Sequence, residues 1–366
     1  MITRFYVHNF RSLLNFELPI KSISSALLIG RNGAGKSTVG YALEVLQRIG
    51  RGNNRVGHLV RLEDVGHGRK EVPIRFELEV ELKGVHYGYI LALEYPEGFR
   101  ELRVLEESLI VNGTAKFTRK VADLYFPGNP AEPMRFDWHS VWLPVAQARS
   151  ESDPLDTFRK WLARMLIVRP YPLAIKGDSS EETLQPQPDM SNLGDWWSGL
   201  ITHSPASYAR IEQALKQMMP DLLDIKNPLI TKDFRSLETH FGDSERSFAI
   251  PFRLLSDGEK CMAIWALVMA ANNAYGPLFC FWDEPDHYLA LSEVRDFAMD
   301  LRRAFQNGGQ FLATSHNPET IRSFSDENTF VLYRRNHHEP TQIRPLVEIS
   351  YGKDLIGALA RGEIEP

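Results

Sequence analysis

Three short stretches bring together residue types able to do phosphate chemistry. Gly30-Arg-Asn-Gly-Ala-Gly-Lys-Ser-Thr38 fits the spacing G-x-x-x-x-G-K-[ST]. Its glycines let the backbone N–H groups of the Asn32, Gly33, Ala34 and Gly35 stretch turn inward round nucleotide phosphates. Lys36 can then reach the β- and γ-phosphates, and the Ser37 hydroxyl, with Thr38 beside it, can meet Mg²⁺. Leu278-Phe-Cys-Phe-Trp-Asp-Glu284 is an apolar run ending in two acids. A strand there holds Asp283 at its carboxyl end, where it can orient a Mg²⁺ shell, and sets Glu284 one residue further on to orient or deprotonate a water. Ser256-Asp-Gly-Glu259 has the spacing of a helix capping box. It reads either as a helix start alone, or as an anion site made by Ser256, the Gly258 N–H and the helix dipole. A second phosphate site has no use in one chain, but it has one in a pair of chains.

The elements that must position these groups are legible in part. Ile2–Val7 and Ala26–Ile29 read as strands, the second feeding into the glycine-rich run, and a helix follows through Val39, Leu43 and Leu46. Residues 74–82 alternate strictly, and Lys83-Gly84 turns the chain into a second alternating run. Leu102–Val111 then meets Asn112-Gly113 before Ala115–Arg119, so 74–119 is expected to be an antiparallel meander. Thr157–Leu166 and Pro205–Met219 read as helices, and polar, proline-bearing 176–192 as a mobile loop. Beyond Leu254 a helix to about Ala274, strand 278–282, helix 292–306, strand 310–313 and closing strands 330–333 and 343–349 alternate in the α/β manner.

With 366 residues, 43% hydrophobic and 24% charged, the chain is of ordinary globular composition. Two cysteines, Cys261 and Cys280, exclude a disulfide framework and a cysteine zinc site, and both read as buried packing residues. The N-terminus lacks a signal-peptide pattern, and no run approaches the ~18 apolar residues of a membrane span, so the expected location is cytoplasmic. A net charge of -5 gives no general attraction to nucleic acid. Adjacent His337 and His338, in a polar turn, read as solvated side chains.

In their order, GRNGAGKST, LSDGEK, FCFWDEPD and Thr314-Ser-His316 resemble the motifs of ABC ATPases, above all the SMC, RecF and OLD-like group (AAA_21, RecF-type). The opening strand with Asn9-Phe-Arg-Ser12 looks like that group's first strand and loop. The resemblance implies an α/β ABC-type head with a mostly parallel sheet, the phosphate loop, an antiparallel meander and a helical lobe. It implies one head over 1–366: 1–150 with the phosphate loop and meander, 151–250 as a helical insert, and 251–366 with the later motifs. It also implies ATP and Mg²⁺ as ligands, Arg11 and Ser12 near the phosphates, Ser256 and Gly258 on the γ-phosphate of an opposite subunit, and His316 as its sensor. Gln147, after apolar Val141–Val145, is the candidate for the glutamine loop, and Pro285-Asp-His-Tyr-Leu289 departs from the common form of the segment after Glu284.

The leading expectation is an ATPase that forms an ATP-dependent homodimer, or a higher assembly, and serves as a switch in DNA maintenance or anti-phage defence. A separate effector is expected, because the 50 residues after His316 are too few for the nuclease domain of OLD-like proteins. DNA is a further candidate partner. The alternatives are the nucleotide-binding subunit of a membrane transporter and a RecF-like DNA-repair factor.

Overall fold

The computed structural model describes every residue except 149, 151, 244, 351–354, 362, 363, 365 and 366. It divides into two compact units, Met1–Met165 with Ser325–Pro366, and Leu166–Phe324.

The first unit carries an eight-stranded sheet in the order Phe16–Leu18, Ile2–His8, Ile74–Leu82, Val85–Glu94, Arg103–Val111, Thr114–Lys120, Asp123–Phe126, Asn129–Arg135, antiparallel throughout. Strict alternation sets which face is buried: Ile74, Phe76, Leu78 and Val80 are all inside, while Arg75, Glu77 and Glu79 point the other way. Both turns anticipated from sequence, Lys83-Gly84 and Asn112-Gly113, have positive φ at their two residues, as tight hairpins require. The meander runs two strands further than the sequence suggests, to Arg135. In the same unit Ser25–Ile29 is fully buried and pairs in parallel with Thr329–Tyr333, which pairs antiparallel with Gln342–Pro345. The expected closing strand to Ile349 stops at Pro345, and Leu346–Glu348 forms a single 3-10 turn.

The helix Lys36–Gly50 presents Val39, Leu43 and Leu46 to the core and lies against the helix Pro154–Arg164. That second helix starts earlier than the apolar pattern suggests, because the Asp153 carboxylate accepts from the Leu155 N–H and Pro154 occupies its first turn. The end of the first helix is fixed by Gln47, whose side-chain amide donates to the Met165 carbonyl at 2.6 Å.

The second unit contains three parallel strands, Leu166–Val168, Phe279–Asp283 and Gln310–Thr314. Helix Asp257–Tyr275 is buried almost all round, and helix Leu291–Ala304 presents Val294, Phe297 and Leu301 to the same core, where Phe297 meets Trp265 and Trp282. Two smaller antiparallel sheets and the helices Leu193–His203 and Ala206–Met218 complete it. Among the described residues antiparallel pairing predominates, much of it in the expected meander, and parallel pairing of the kind expected for the rest joins these three strands and the Ser25–Ile29 and Thr329–Tyr333 pair. The physical reason is connectivity: a chain that reverses through hairpins can only pair antiparallel, and most of its strands do so. The stretch 176–192 is irregular but pinned, with Met190 fully buried and the Asp195 carboxylate accepting from the Ser180 and Glu181 N–H groups. Both cysteines are buried, and burial pushes the Cys261 thiol up to about 12. Among the described residues no helix is long and apolar enough to cross a membrane.

One buried ionic group stands out in the meander. Glu107 and Arg119 are both fully buried, 3.5 Å apart. The carboxylate accepts from the Trp142 and Leu143 N–H groups at 2.7 and 2.9 Å, and the guanidinium donates to the carbonyls of Val121, Asp137 and Ser140. Burial pushes the Glu107 carboxyl up and the Arg119 guanidinium down, so each charge depends on the other and on these hydrogen bonds. Glu107→Ala, which leaves Arg119 buried without its counter-charge, is expected to destabilise the chain by about 3–5 kcal/mol in urea unfolding; a change within ~0.5 kcal/mol, the range of ordinary surface substitutions, would show that the pair is not structural.

Candidate functional site

The candidate residues fall into two groups, one in each unit. In the first unit the strand Ser25–Ile29 ends at Gly30, whose φ of +140 and absent side chain let the chain pass directly against the Leu332 backbone. The loop turns at Gly35, in the left-handed region at φ 103, and the helix begins at Lys36. Lys36 is buried and curls back over its own loop, its Nζ donating to the Gly30 and Arg31 carbonyls at 2.8 and 3.2 Å. Asn32, Gly33 and Ser37 are exposed, Ala34 is buried, and Thr38 is half-buried in the first turn.

Ser12 reaches the loop. Its hydroxyl accepts from the Thr341 hydroxyl at 2.9 Å, its carbonyl accepts from the Thr341 N–H at 2.8 Å, and a Cβ on Gly35 would lie 3.0 Å from its Oγ. Arg11, at φ 52, points its guanidinium to the Asp64 carboxylate at 2.8 Å and over the Tyr41 ring at 4.1 Å. Gln147 is exposed in the irregular stretch after Val145. Thr341 had no signature in the sequence; only the pairing of two distant strands brings it to the loop.

In the second unit, register places Asp283 opposite Thr314. The Thr314 hydroxyl donates to the Asp283 carboxylate at 2.6 Å and accepts from the Glu284 N–H at 2.9 Å. Glu284 leaves the strand at φ 52, a conformation rare for a residue with a Cβ and costing about 1–2 kcal/mol, which turns its carboxylate away from the strand direction. That carboxylate lies 3.8 Å from His316 Nε2 and 3.3 Å from His287 Nδ1. Asp286, which sequence reasoning did not single out, is buried and accepts from the Ser315 and Thr320 hydroxyls; burial pushes its carboxyl up. It ties the segment after Glu284 to the segment carrying His316. The capping box is present in full: the Glu259 carboxylate accepts from the Ser256 N–H and hydroxyl, both at 2.7 Å, and the Glu259 N–H donates to Ser256 Oγ. Gly258, in the first turn, faces the Tyr288 carbonyl.

A glycine-rich loop with a buried lysine, in the first unit, and an acid pair at the end of a parallel strand, in the second, are features of the kind that nucleotide-hydrolysing folds carry. Residues 25–322 match the AAA_21 family, described as "AAA domain, putative AbiEii toxin, Type IV TA system". The chain belongs to this family. Its fold is similar to the solved SMC head bound to the C-winged helix domain of ScpA, over 95% of this chain and 99% of that one, at 15% identity and a TM-score of 0.58. It is also similar to an SMC head with an extended coiled coil bound to the C-terminal domain of ScpA, derived from Pyrococcus furiosus, over 95% of this chain and 97% of that one, at 14% identity and a TM-score of 0.54. No curated protein sequence matches the chain. The AAA_21 membership and the head fold agree with the SMC- and RecF-like group of ABC ATPases, and with a nucleotide-binding ATPase fold.

In this AAA_21 chain the absence of a side chain at 258 has a local steric cause. A Cβ there would sit 2.8 Å from the Tyr288 carbonyl oxygen, with no flexible side chain to yield. Gly258→Ala is therefore expected to cost about 1–3 kcal/mol in thermal or urea unfolding; an unchanged or raised stability would show that the contact is not tight.

Proposed function

We propose that the chain binds and hydrolyses ATP with Mg²⁺, and that two copies close head to tail around two nucleotides to switch the activity of a separate effector. The observation that carries the reading is the phosphate loop, with Lys36 already held inside it on the Gly30 and Arg31 carbonyls. A nucleotide's phosphates would draw Lys36 Nζ from those carbonyls, since a charged acceptor binds an ammonium more strongly than a neutral one. Oxygen donors suited to Mg²⁺ are present in each unit, an exposed Ser37 hydroxyl in the first and an Asp283 carboxylate oriented by Thr314 in the second. Bound there, the ion would neutralise phosphate charge as it develops.

Glu284 is the proposed base, orienting and deprotonating the attacking water, and His316 the sensor beside it. Ser256 and the Gly258 N–H, at the amino end of a long helix, are offered to the γ-phosphate held by the other copy. Arg11 and Ser12 act near the phosphates, and Gln147 as a coupling residue. A protein partner is in keeping with the two SMC heads, each described as bound to a domain of ScpA. The toxin–antitoxin wording of the family description favours a defence role over transport.

Lys36→Ala should lose ATP binding in a calorimetric titration, and unchanged binding would remove the central claim. Glu284→Gln should keep ATP binding while hydrolysis falls by roughly 10²- to 10⁴-fold. Complementation tests the pairing. Lys36→Ala and Ser256→Arg chains are each expected to be inactive alone, yet a mixture contains dimers with one complete site, Lys36 from one chain and Ser256 from the other. Recovered turnover in the mixture, together with ATP-dependent dimers of Glu284→Gln in sedimentation, is the expected result; a dead mixture and no dimer would reduce Ser256-Asp-Gly-Glu259 to a helix cap.

A further inference from the structure

The turn 334–341, between Thr329–Tyr333 and Gln342–Pro345, is held against the phosphate loop along its length. At one end the Leu332 backbone lies where a Cβ on Gly30 would have to be, and at the other the buried Thr341 hydroxyl lies where a Cβ on Gly35 would be. Thr341 is also bonded twice to Ser12. Between these anchors two nitrogen-bearing side chains, the Arg334 guanidinium and the His337 ring, come over the tip of the loop: a Cβ on Gly33 would lie 3.8 Å from Arg334 Nη2 and 3.9 Å from His337 Nε2. Neither head group makes a hydrogen bond or an ion pair among the described residues. The local field is positive: the imidazolium of nearby His67 is disfavoured first by burial, then by Arg69, Arg334 and His338. Glu339, in the same turn, is turned to Asn336, whose amide donates to it at 3.1 Å.

We infer that Arg334 and His337 are further nucleotide-binding residues, donating to the phosphates that the loop holds, so that the turn acts as a charged wall of the site. The inference rests on the phosphate-loop reading above. The Arg334 guanidinium is a fixed charge with several donors and the His337 ring can donate from a nitrogen, so an anion brought to the loop tip meets hydrogen-bond donors from both. A nucleotide fits better than a nucleic acid. The two side chains converge on the turn of backbone that would wrap a phosphate, and the chain as a whole is negative, at -5. His337 is thus given a role that a solvated surface histidine would lack.

The test is calorimetric binding of the magnesium complex of β,γ-imido-ATP to the full chain. Arg334→Ala/His337→Ala should bind about tenfold more weakly at low salt, as loss of charge-assisted hydrogen bonds predicts, with a smaller deficit at about 0.5 M salt because exposed charges are screened. Arg334→Lys should retain most of the affinity. Arg335→Ala, whose side chain is not within 4 Å of the Gly33 position, should bind as the wild type does. Wild-type affinity in the double variant overturns the inference, and so does a variant that binds normally but no longer forms the nucleotide-dependent pair, because the charges would then face the second copy. Lys36→Ala separates the two claims: if it too binds normally, the phosphate-loop reading has failed; if it alone loses binding, only the wall has. Should the double variant not fold, Arg334→Gln alone carries the comparison.

Discussion

A Cβ on Gly30 would sit 2.0 Å from the Leu332 carbonyl oxygen, and one on Gly35 2.3 Å from the Thr341 hydroxyl. The glycine-rich loop is therefore packed against the hairpin 329–345 with no side-chain layer between, a closeness only glycine permits. Much of the first unit's arrangement follows. The parallel pairing of Ser25–Ile29 with Thr329–Tyr333 brings the hairpin to the loop, and Thr341 locks it there through Ser12. Ser12 is itself set by the bend at Arg11, whose backbone N–H donates to the Asp64 carbonyl and whose guanidinium takes the Asp64 carboxylate. The glycine-rich loop is thus stiffened from outside.

The second unit solves a different problem, holding two acids close without letting them drift. Parallel register sets Thr314 opposite Asp283, and one hydroxyl serves both acids, donating to the carboxylate of the first and accepting from the backbone of the second. The left-handed turn at Glu284 then carries its carboxylate to His316 and His287. Asp286 fastens the following segment through two buried hydroxyls, and the same segment offers the Tyr288 carbonyl to Gly258. His316, Glu284 and the capped helix are thus joined by a continuous set of contacts.

Ion pairs in the chain differ in what they do. Arg4, Arg75 and Glu77 form a half-exposed cluster on the outer face of the meander, where pairs of this kind add little to stability. Glu107 and Arg119 are fully buried, and their hydrogen bonds go mostly to backbone between Val121 and Leu143. That pair ties the segment 137–143, which follows the last strand of the meander, to the strands Arg103–Val111 and Thr114–Lys120.

Local signals were sufficient for much of this. The G-x-x-x-x-G-K-S run between an apolar strand and an apolar-faced helix, the strict alternation at 74–82, the two Gly-containing turns and the Ser256–Glu259 box all act over a few residues, so their structures could be read directly. The acid pair after an apolar run was legible for the same reason. Less could be read between 166 and 251, where strands of two to five residues such as Leu229–Thr231 and Phe234–Ser236 are too short to show a period. Strand direction was legible where a short turn forced it, as in the antiparallel meander of 74–119, and not elsewhere, since a run of apolar residues carries no mark of its neighbour's polarity. Thr341, Thr314, Arg334 and Asp286 owe their places to contacts spanning from 29 to 329 positions along the chain. A threonine looks the same in sequence whether it faces water or bridges two acids; only the pairing of distant strands decided which.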